Sequence, residues 1–328
     1  MQITLNSFRR FLSAIMLSIF FSINLVVAQS MPTLQASQLI MPSKTYTISF
    51  RWQGDSIHSK WEANAAILIP IKLMNCPRQL YMQFDLGSPY SLLYKNKLEA
   101  LQMKYPGSVP LKEASGKLQN FSFKADGIAI LAKEILVKQF DSTGIDWKNK
   151  NSAEIIGTIG ADLIDNKVII IDYPHRKLTI STHIPEKLKE QVSLTDFIYS
   201  NRSILFPAKI KGKETMLYFD TGSSMFELLT DKETCNQLSK PNAELIRYPV
   251  KSWNKFLTAN TLASNHNIAL AGITIPLRSS TYIEGISEAQ IQQMSKMGIG
   301  GMTGNKLFLN YILVIDTKSK KFGLIESF

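Results

Sequence analysis

A mainly β fold, two similar barrel-like lobes with a cleft between them and a few short helices, is what this sequence predicts. Three observations predict it. Most apolar runs are short and close on turn residues, with few stretches of 3.6-residue period. A strand–turn–strand unit ending in Asp-x-Gly-Ser occurs twice, with its aspartates, Asp85 and Asp220, 135 residues apart. The close of each unit recurs as well: Gly157 and Asp172 are 15 positions apart, and so are Gly301 and Asp316.

The elements follow in order. Arg9 and Arg10 precede an apolar run from Phe11 to Val27, which closes on Val-Val-Ala before Gln29. That is the layout of a secretory leader, with cleavage expected after Ala28; an uncleaved N-terminal anchor is the alternative. Export would place the mature chain in the periplasm or outside the cell, in an oxidising compartment. Residues 46–52 read as a strand. Ala65–Leu73 and Leu80–Ser88 form the first strand pair and its Asp-Leu-Gly-Ser turn, followed by Ser91–Tyr94. Ile204–Ile210 and Met216–Ser224 repeat it with Asp-Thr-Gly-Ser, followed by Glu227–Leu229. Short helices are expected at Lys95–Met103, Asp231–Leu238 and Ser287–Met294. Each half ends in a Gly-x-x-Gly turn, a short helix and a hairpin. The segment between the halves contains Pro185, Lys187, Lys189 and Glu190 and lacks strand alternation. The predicted organisation is therefore a leader at 1–28, an N-terminal lobe at 29–183, a linker at 184–202 and a C-terminal lobe at 203–328.

Charge and composition exclude several functions. The 37 Lys and Arg exceed the 26 Asp and Glu, for a net charge of +11, which invites a nucleic-acid reading. The lysines are scattered, however, and no basic cluster is interleaved with stacking aromatics, so no nucleic acid is expected as a partner. The four histidines share no metal-ligand spacing, and His175 reads as a turn residue. No metal and no cofactor are expected. There is no Gly-x-Ser-x-Gly elbow, and the glycines at 298–304 lack the Gly-Lys-Ser/Thr ending of a phosphate loop. Cys76 and Cys235 leave a single bridge open but do not predict it. Trp52 and Trp61 are expected in or near the first core, and Asp162, Asp172 and Asp316 at turns and strand ends.

One Asp-x-Gly-Ser is an ordinary turn. Two copies at equivalent places in duplicated halves are chemistry, because a pseudo-twofold axis brings equivalent residues together. Two carboxylates that meet cannot both ionise at modest pH; one is left as a base and the other as an acid. Such a pair activates water on one side and protonates or polarises a carbonyl on the other.

Phe-Asp-Thr-Gly-Ser-Ser at 219–224 and Phe-Asp-Leu-Gly-Ser at 84–88 resemble the active-site loops of aspartic proteases. Ile-Ile-Gly at 155–157 and Gly-Ile-Gly-Gly at 298–301 resemble the segments that thread beneath those loops. The resemblance covers about residues 62–328, pepsin-like in its two-lobed arrangement, with short lobes closer to retroviral-type protomers and an exported, bacterial-type context. It implies Asp85 and Asp220 as the catalytic pair and a polypeptide substrate, extended in the interlobe cleft of a monomer that is free of the membrane after leader cleavage. Gly87 and Gly222 give the loops room to turn. Ser88 and Ser223 can donate to the aspartates, and Thr221 would bond across to the other lobe. A flap is expected near Ala114-Ser115-Gly116, and its counterpart in the second half near Trp253. A serine after each glycine implies a mildly acidic optimum.

The sequence also departs from that pattern. Leu86 replaces the expected hydroxyl residue, so half of the cross-lobe lock is missing. The first flap lacks a Tyr-Gly pair, and 29–45 is too short for a pepsin-type pro-segment. Two rival readings stay open: an impaired protease-like protein acting as a peptide-binding or interaction module, and two tandem folds that share no axis.

Overall fold

A computed structural model describes residues 37–57, 60–110, 116–140, 142–252, 255–286, 294 and 296–327. The expected leader, Ser115, Trp253 and most of the expected helix at 287–294 lie outside the described residues.

The two halves are built the same way. In the first, Lys60–Lys72 pairs antiparallel with Leu80–Phe84, and Glu154–Ile159 lies parallel beside Leu80–Phe84, Phe84 opposite Ile159. In the second, Ser203–Ile210 pairs with Lys213–Phe219, and Ile299–Thr303 lies parallel beside it, Phe219 opposite Thr303. Each inner parallel strand continues into a 3-10 turn, Ala161–Ile164 or Asn305–Phe308, and then into a terminal hairpin.

Those terminal hairpins join the halves. Val168–Asp172 pairs antiparallel with Tyr311–Asp316 in the middle of a six-stranded sheet. Tyr46–Ser49 flanks one side of this sheet and Thr195–Asp196 the other. The run Val168-Ile-Ile-Ile is apolar at every position because both faces are covered. Ile169 and Ile171 face the main core, whereas Val168, Ile170 and Val314 pack with Ile184 and Val192. Elsewhere period 2 governs. In residues 121–125, Phe121, Phe123 and Ala125 are buried, with exposed Ser122 and Lys124 facing out. The main core is common to both halves. Phe206 stacks on Phe322 with ring centroids 4.1 Å apart, and Phe219 meets Phe308 edge-on at 5.5 Å.

The helices expected after each Asp-x-Gly-Ser are present, at Lys95–Lys104 and Lys232–Leu238. Asp231 caps the second, accepting from the Thr234 N–H at 2.8 Å. Among the described residues no helix is long and apolar enough to cross a membrane.

Several local readings are corrected. The segment between the halves contains strands after all: Thr195–Asp196 and Ile198–Ser200 follow the helical turn Glu186–Lys189, drawn in by the edges they pair with. Trp52 does pack on the core, stacked at 6.2 Å on Tyr173, but Trp61 is 70% exposed. Its ring covers Gly54, where a Cβ would sit 2.1 Å from it. Cys76 and Cys235 are both free thiols, Cys235 being buried beside the Ser280 hydroxyl. Asp162 sits in the expected turn but is buried. Asp172 and Asp316 do sit at turns, where Asp172 holds His175 and Asp316 accepts from the Ser319 hydroxyl.

The long hairpin of Arg51–Ile57 with Lys60–Lys72 reaches beyond its own half. Ala65 belongs to the apolar cluster of Met225, Phe226 and Met302, with Ile57 packed against it. Glu62 forms a 2.5 Å ion pair with Lys306, and the Ser224 hydroxyl donates to the Asn64 carbonyl at 2.6 Å.

Candidate active site

Asp85 and Asp220 directly follow equivalent strands, Leu80–Phe84 and Lys213–Phe219, and are held by equivalent bonds. The Asp85 N–H donates to the Ile159 carbonyl and the Asp220 N–H to the Thr303 carbonyl, both at 3.0 Å. Both side chains are fully buried. The loops meet so closely that a Cβ on Gly87 would lie 2.4 Å from Asp220 Oδ1. One on Gly222 would lie 2.5 Å from Asp85 Oδ1. Glycine is required at both places by this approach of the opposite carboxylate. The two carboxyl groups interact, each lying against the other loop's glycine, and like charges at that range disfavour ionising both together.

A second pair of glycines sets the floor of the site. A Cβ on Gly157 would lie 2.3 Å from the Leu92 carbonyl oxygen, and one on Gly301 2.4 Å from that of Leu229. Both inner strands therefore thread closely beneath the chain that leaves each loop.

The loops differ in how they are held. Thr221 provides the contact between them: its hydroxyl accepts from the Leu86 N–H at 2.8 Å and donates to the Phe84 carbonyl at 3.0 Å. Leu86 offers no hydroxyl in return, and its side chain is buried in the common core. Asp220 accepts from the Gly222 N–H at 2.7 Å and from the Ser223 hydroxyl at 2.8 Å. Asp85 accepts from the Gly87 N–H at 2.9 Å and the Ser88 N–H at 3.2 Å. The Ser88 hydroxyl, expected to serve Asp85, donates instead to the Tyr90 carbonyl at 2.9 Å. The turn at Pro89-Tyr90 brings that carbonyl within reach and draws the hydroxyl away.

Burial holds the Asp220 carboxyl above the usual carboxylate range, and its donors, the Ser223 hydroxyl first, offset part of that rise. The site thus combines a desolvated carboxyl pair, with Asp220 held above the usual range, and fixed backbone donors. Such an arrangement accepts a proton at one oxygen and delivers one at another.

Of the expected flap residues, Ser115 and Trp253 lie outside the described residues and Gly116 is described. Gly116 stands at the entry to Lys117–Ala125 in a left-handed conformation (φ 70°), where its carbonyl accepts from the Val137 N–H. That hairpin turns at Asp126-Gly127, whereas Gly116 lies at its open end. In the second half, Ile246–Ser252 pairs antiparallel with Lys255–Ala263, and the residues that connect them lie outside the described residues.

Sequence reasoning missed a buried network behind the first loop. Asp162 accepts from both the N–H and the hydroxyl of Ser91, at 2.9 and 2.7 Å, and the Ser91 hydroxyl accepts from the Gly160 N–H. Arg202, from the second half, pairs with Asp165 at 2.6 Å. The signal available in the sequence was an arginine beside a turn asparagine, which looks like any exposed turn.

The chain is similar in structure to the aspartic proteinase from Irpex lacteus. The TM-score is 0.49 and the identity 12%, over 86% of this chain and 97% of that one. No family model matches the sequence, and no curated protein matches it.

Proposed function

We propose that this protein is an aspartic-type endopeptidase, hydrolysing peptide bonds with a water activated between Asp85 and Asp220. The observation that carries this reading is the contact of two fully buried carboxyl groups from equivalent loops. In the proposed reaction the ionised carboxylate takes a proton from water as the water attacks the peptide carbonyl. The protonated partner donates to the carbonyl oxygen, giving a tetrahedral gem-diol. Proton transfer to the amide nitrogen then releases the amine and leaves a carboxylic acid. No metal and no covalent intermediate are needed. The Ser223 hydroxyl and the loop N–H groups would hold the carboxylates in place throughout, so little reorganisation accompanies the charge movement. The substrate would lie extended in the cleft between the halves.

The rival reading, a peptide-binding module without activity, rests on Leu86. The contact between the carboxyl groups favours the hydrolase, because a binding cleft has no need of a desolvated acid pair. A peptide-library cleavage assay between about pH 3 and 7 decides between them. Cleavage that disappears in the Asp220→Asn variant supports the hydrolase, and binding without cleavage supports the module. Export rests on the leader alone; N-terminal sequencing of the processed protein tests it, with Gln29 as the expected first residue.

A further inference from the structure

Arg202 lies in a two-residue turn between Ile198–Ser200 and Ser203–Ile210, with Asn201 and Arg202 both left-handed (φ 49° and 61°). Two non-glycine residues in that region are strained unless their surroundings hold them. What holds Arg202 is in the other half. Its side chain is 3% exposed, and Nε and Nη2 donate to Asp165 Oδ2 at 2.9 and 2.6 Å. Nη1 donates to the Pro89 carbonyl at 3.0 Å, and the guanidinium lies 4.7 Å from the centre of the Tyr90 ring. The Tyr199 hydroxyl completes the cluster, donating to Asp165 Oδ1 at 2.7 Å. A planar, multidentate cation suits this place because it binds a carboxylate, a carbonyl and a ring face at once.

Pro89 and Tyr90 belong to the loop that carries Asp85, and the Tyr90 carbonyl receives the Ser88 hydroxyl. This is the loop to which residue 86 contributes no hydroxyl. Among the described residues the other loop has no such cation against it. Leu68 pairs with Gln83, and Leu205 with Tyr218, each two residues before its aspartate, so Ala65 is the counterpart of Arg202. Ala65 is apolar, and the neighbouring Asn64 gives only a carbonyl to Ser224.

We infer that Arg202 is a positioning residue: it clamps the Asp85 loop from the opposite half and supplies the restraint that a hydroxyl at position 86 would otherwise give. This rests on the peptidase reading only for its kinetic consequence; the clamp itself is readable without activity. The test compares the full-length protein with the Arg202→Met, Arg202→Lys and Leu86→Thr variants and the Leu86→Thr/Arg202→Met double variant. Amide hydrogen exchange at Leu86, Gly87 and Ser88 should quicken at least about tenfold in Arg202→Met, with exchange at Thr221, Gly222 and Ser223 little changed. In the cleavage assay kcat should fall about 10- to 100-fold with KM nearly constant, since a displaced carboxylate harms chemistry more than binding. Arg202→Lys, which keeps the charge but not the fork, should fall between. Leu86→Thr should restore at least half of the lost exchange protection in the double variant. Unchanged exchange at 86–88 in Arg202→Met, or quickening spread evenly over both loops, overturns the clamp. So does a double variant that is no better protected than Arg202→Met. A wild-type protein that cleaves nothing would remove the peptidase reading and leave the exchange result to judge the clamp.

Discussion

Ile170 and Val314 lie directly opposite one another where the terminal hairpins of the two halves pair. They are also equivalent residues, each two positions before the aspartate that closes its strand. Equivalent residues that face each other mark a pseudo-twofold axis. The same axis relates the Asp85 and Asp220 loops, each of which places its glycine against the other's carboxylate. The fold thus fixes the meeting of the carboxyl groups from its own terminal sheet.

The lock at Thr221 should be costly to break. Thr221→Val leaves the buried Leu86 N–H and Phe84 carbonyl without their partner. A loss of about 1–3 kcal/mol in urea unfolding is expected. Activity should fall by more than stability explains.

The two serines should behave differently although their motifs match. Ser223 donates to Asp220, so Ser223→Ala removes a group that favours the ionised carboxylate. The alkaline limb of the pH–rate profile, which reports loss of the proton held on Asp220, should move to higher pH. Ser88→Ala removes a bond to the Tyr90 carbonyl and should leave that limb in place. Equal shifts in both variants would contradict the assignment.

Stability should depend on pH through the pair. Burial raises the Asp220 carboxyl in the folded chain, so the native state holds a proton that the unfolded chain releases near the ordinary aspartate value. Stability from this source is full below that value and is lost as pH rises through the raised folded one. Asp220→Asn removes the dependence. Its melting temperature relative to wild type should be higher at pH 7 than at pH 4, measured by calorimetry at matched ionic strength.

Gly222→Ala should damage activity out of proportion to stability. The added methyl is aimed at Asp85, 2.5 Å from Oδ1, and must displace it. A displacement on that scale lowers kcat about 100-fold, while overpacking destabilises by about 1–3 kcal/mol in an unfolding titration.

Much of this was legible in the sequence because the duplication carries its own control. Asp85 and Asp220, with their following glycines, could be paired by position before any contact was known, and so could Gly157 with Gly301. The helices at Lys95 and Lys232 were also legible, since each follows a fixed motif. The roles of individual hydroxyls were not. Ser88 and Ser223 occupy identical motif positions, yet the turn at Pro89-Tyr90 offers one of them a carbonyl and the other keeps its carboxylate. Trp61 was misplaced because periodicity reports that a strand has a buried face without saying how far a hairpin extends beyond its core. Arg202 was missed for a related reason. A turn arginine is ordinarily solvated, and only the fold of the opposite half places a carboxylate, a carbonyl and a ring around it. Contacts between halves carry no local pattern in the chain that makes them.

The most direct test of the central claim is the rate of cleavage of a denatured protein substrate by wild type, Asp85→Asn and Asp220→Asn, each shown to be folded by near-ultraviolet circular dichroism. If the two carboxyl groups act as one unit, each variant alone loses nearly all activity, about 10³-fold or more, and the double variant is no worse. Retention of activity within about tenfold of wild type by either single variant would contradict the shared-proton pair.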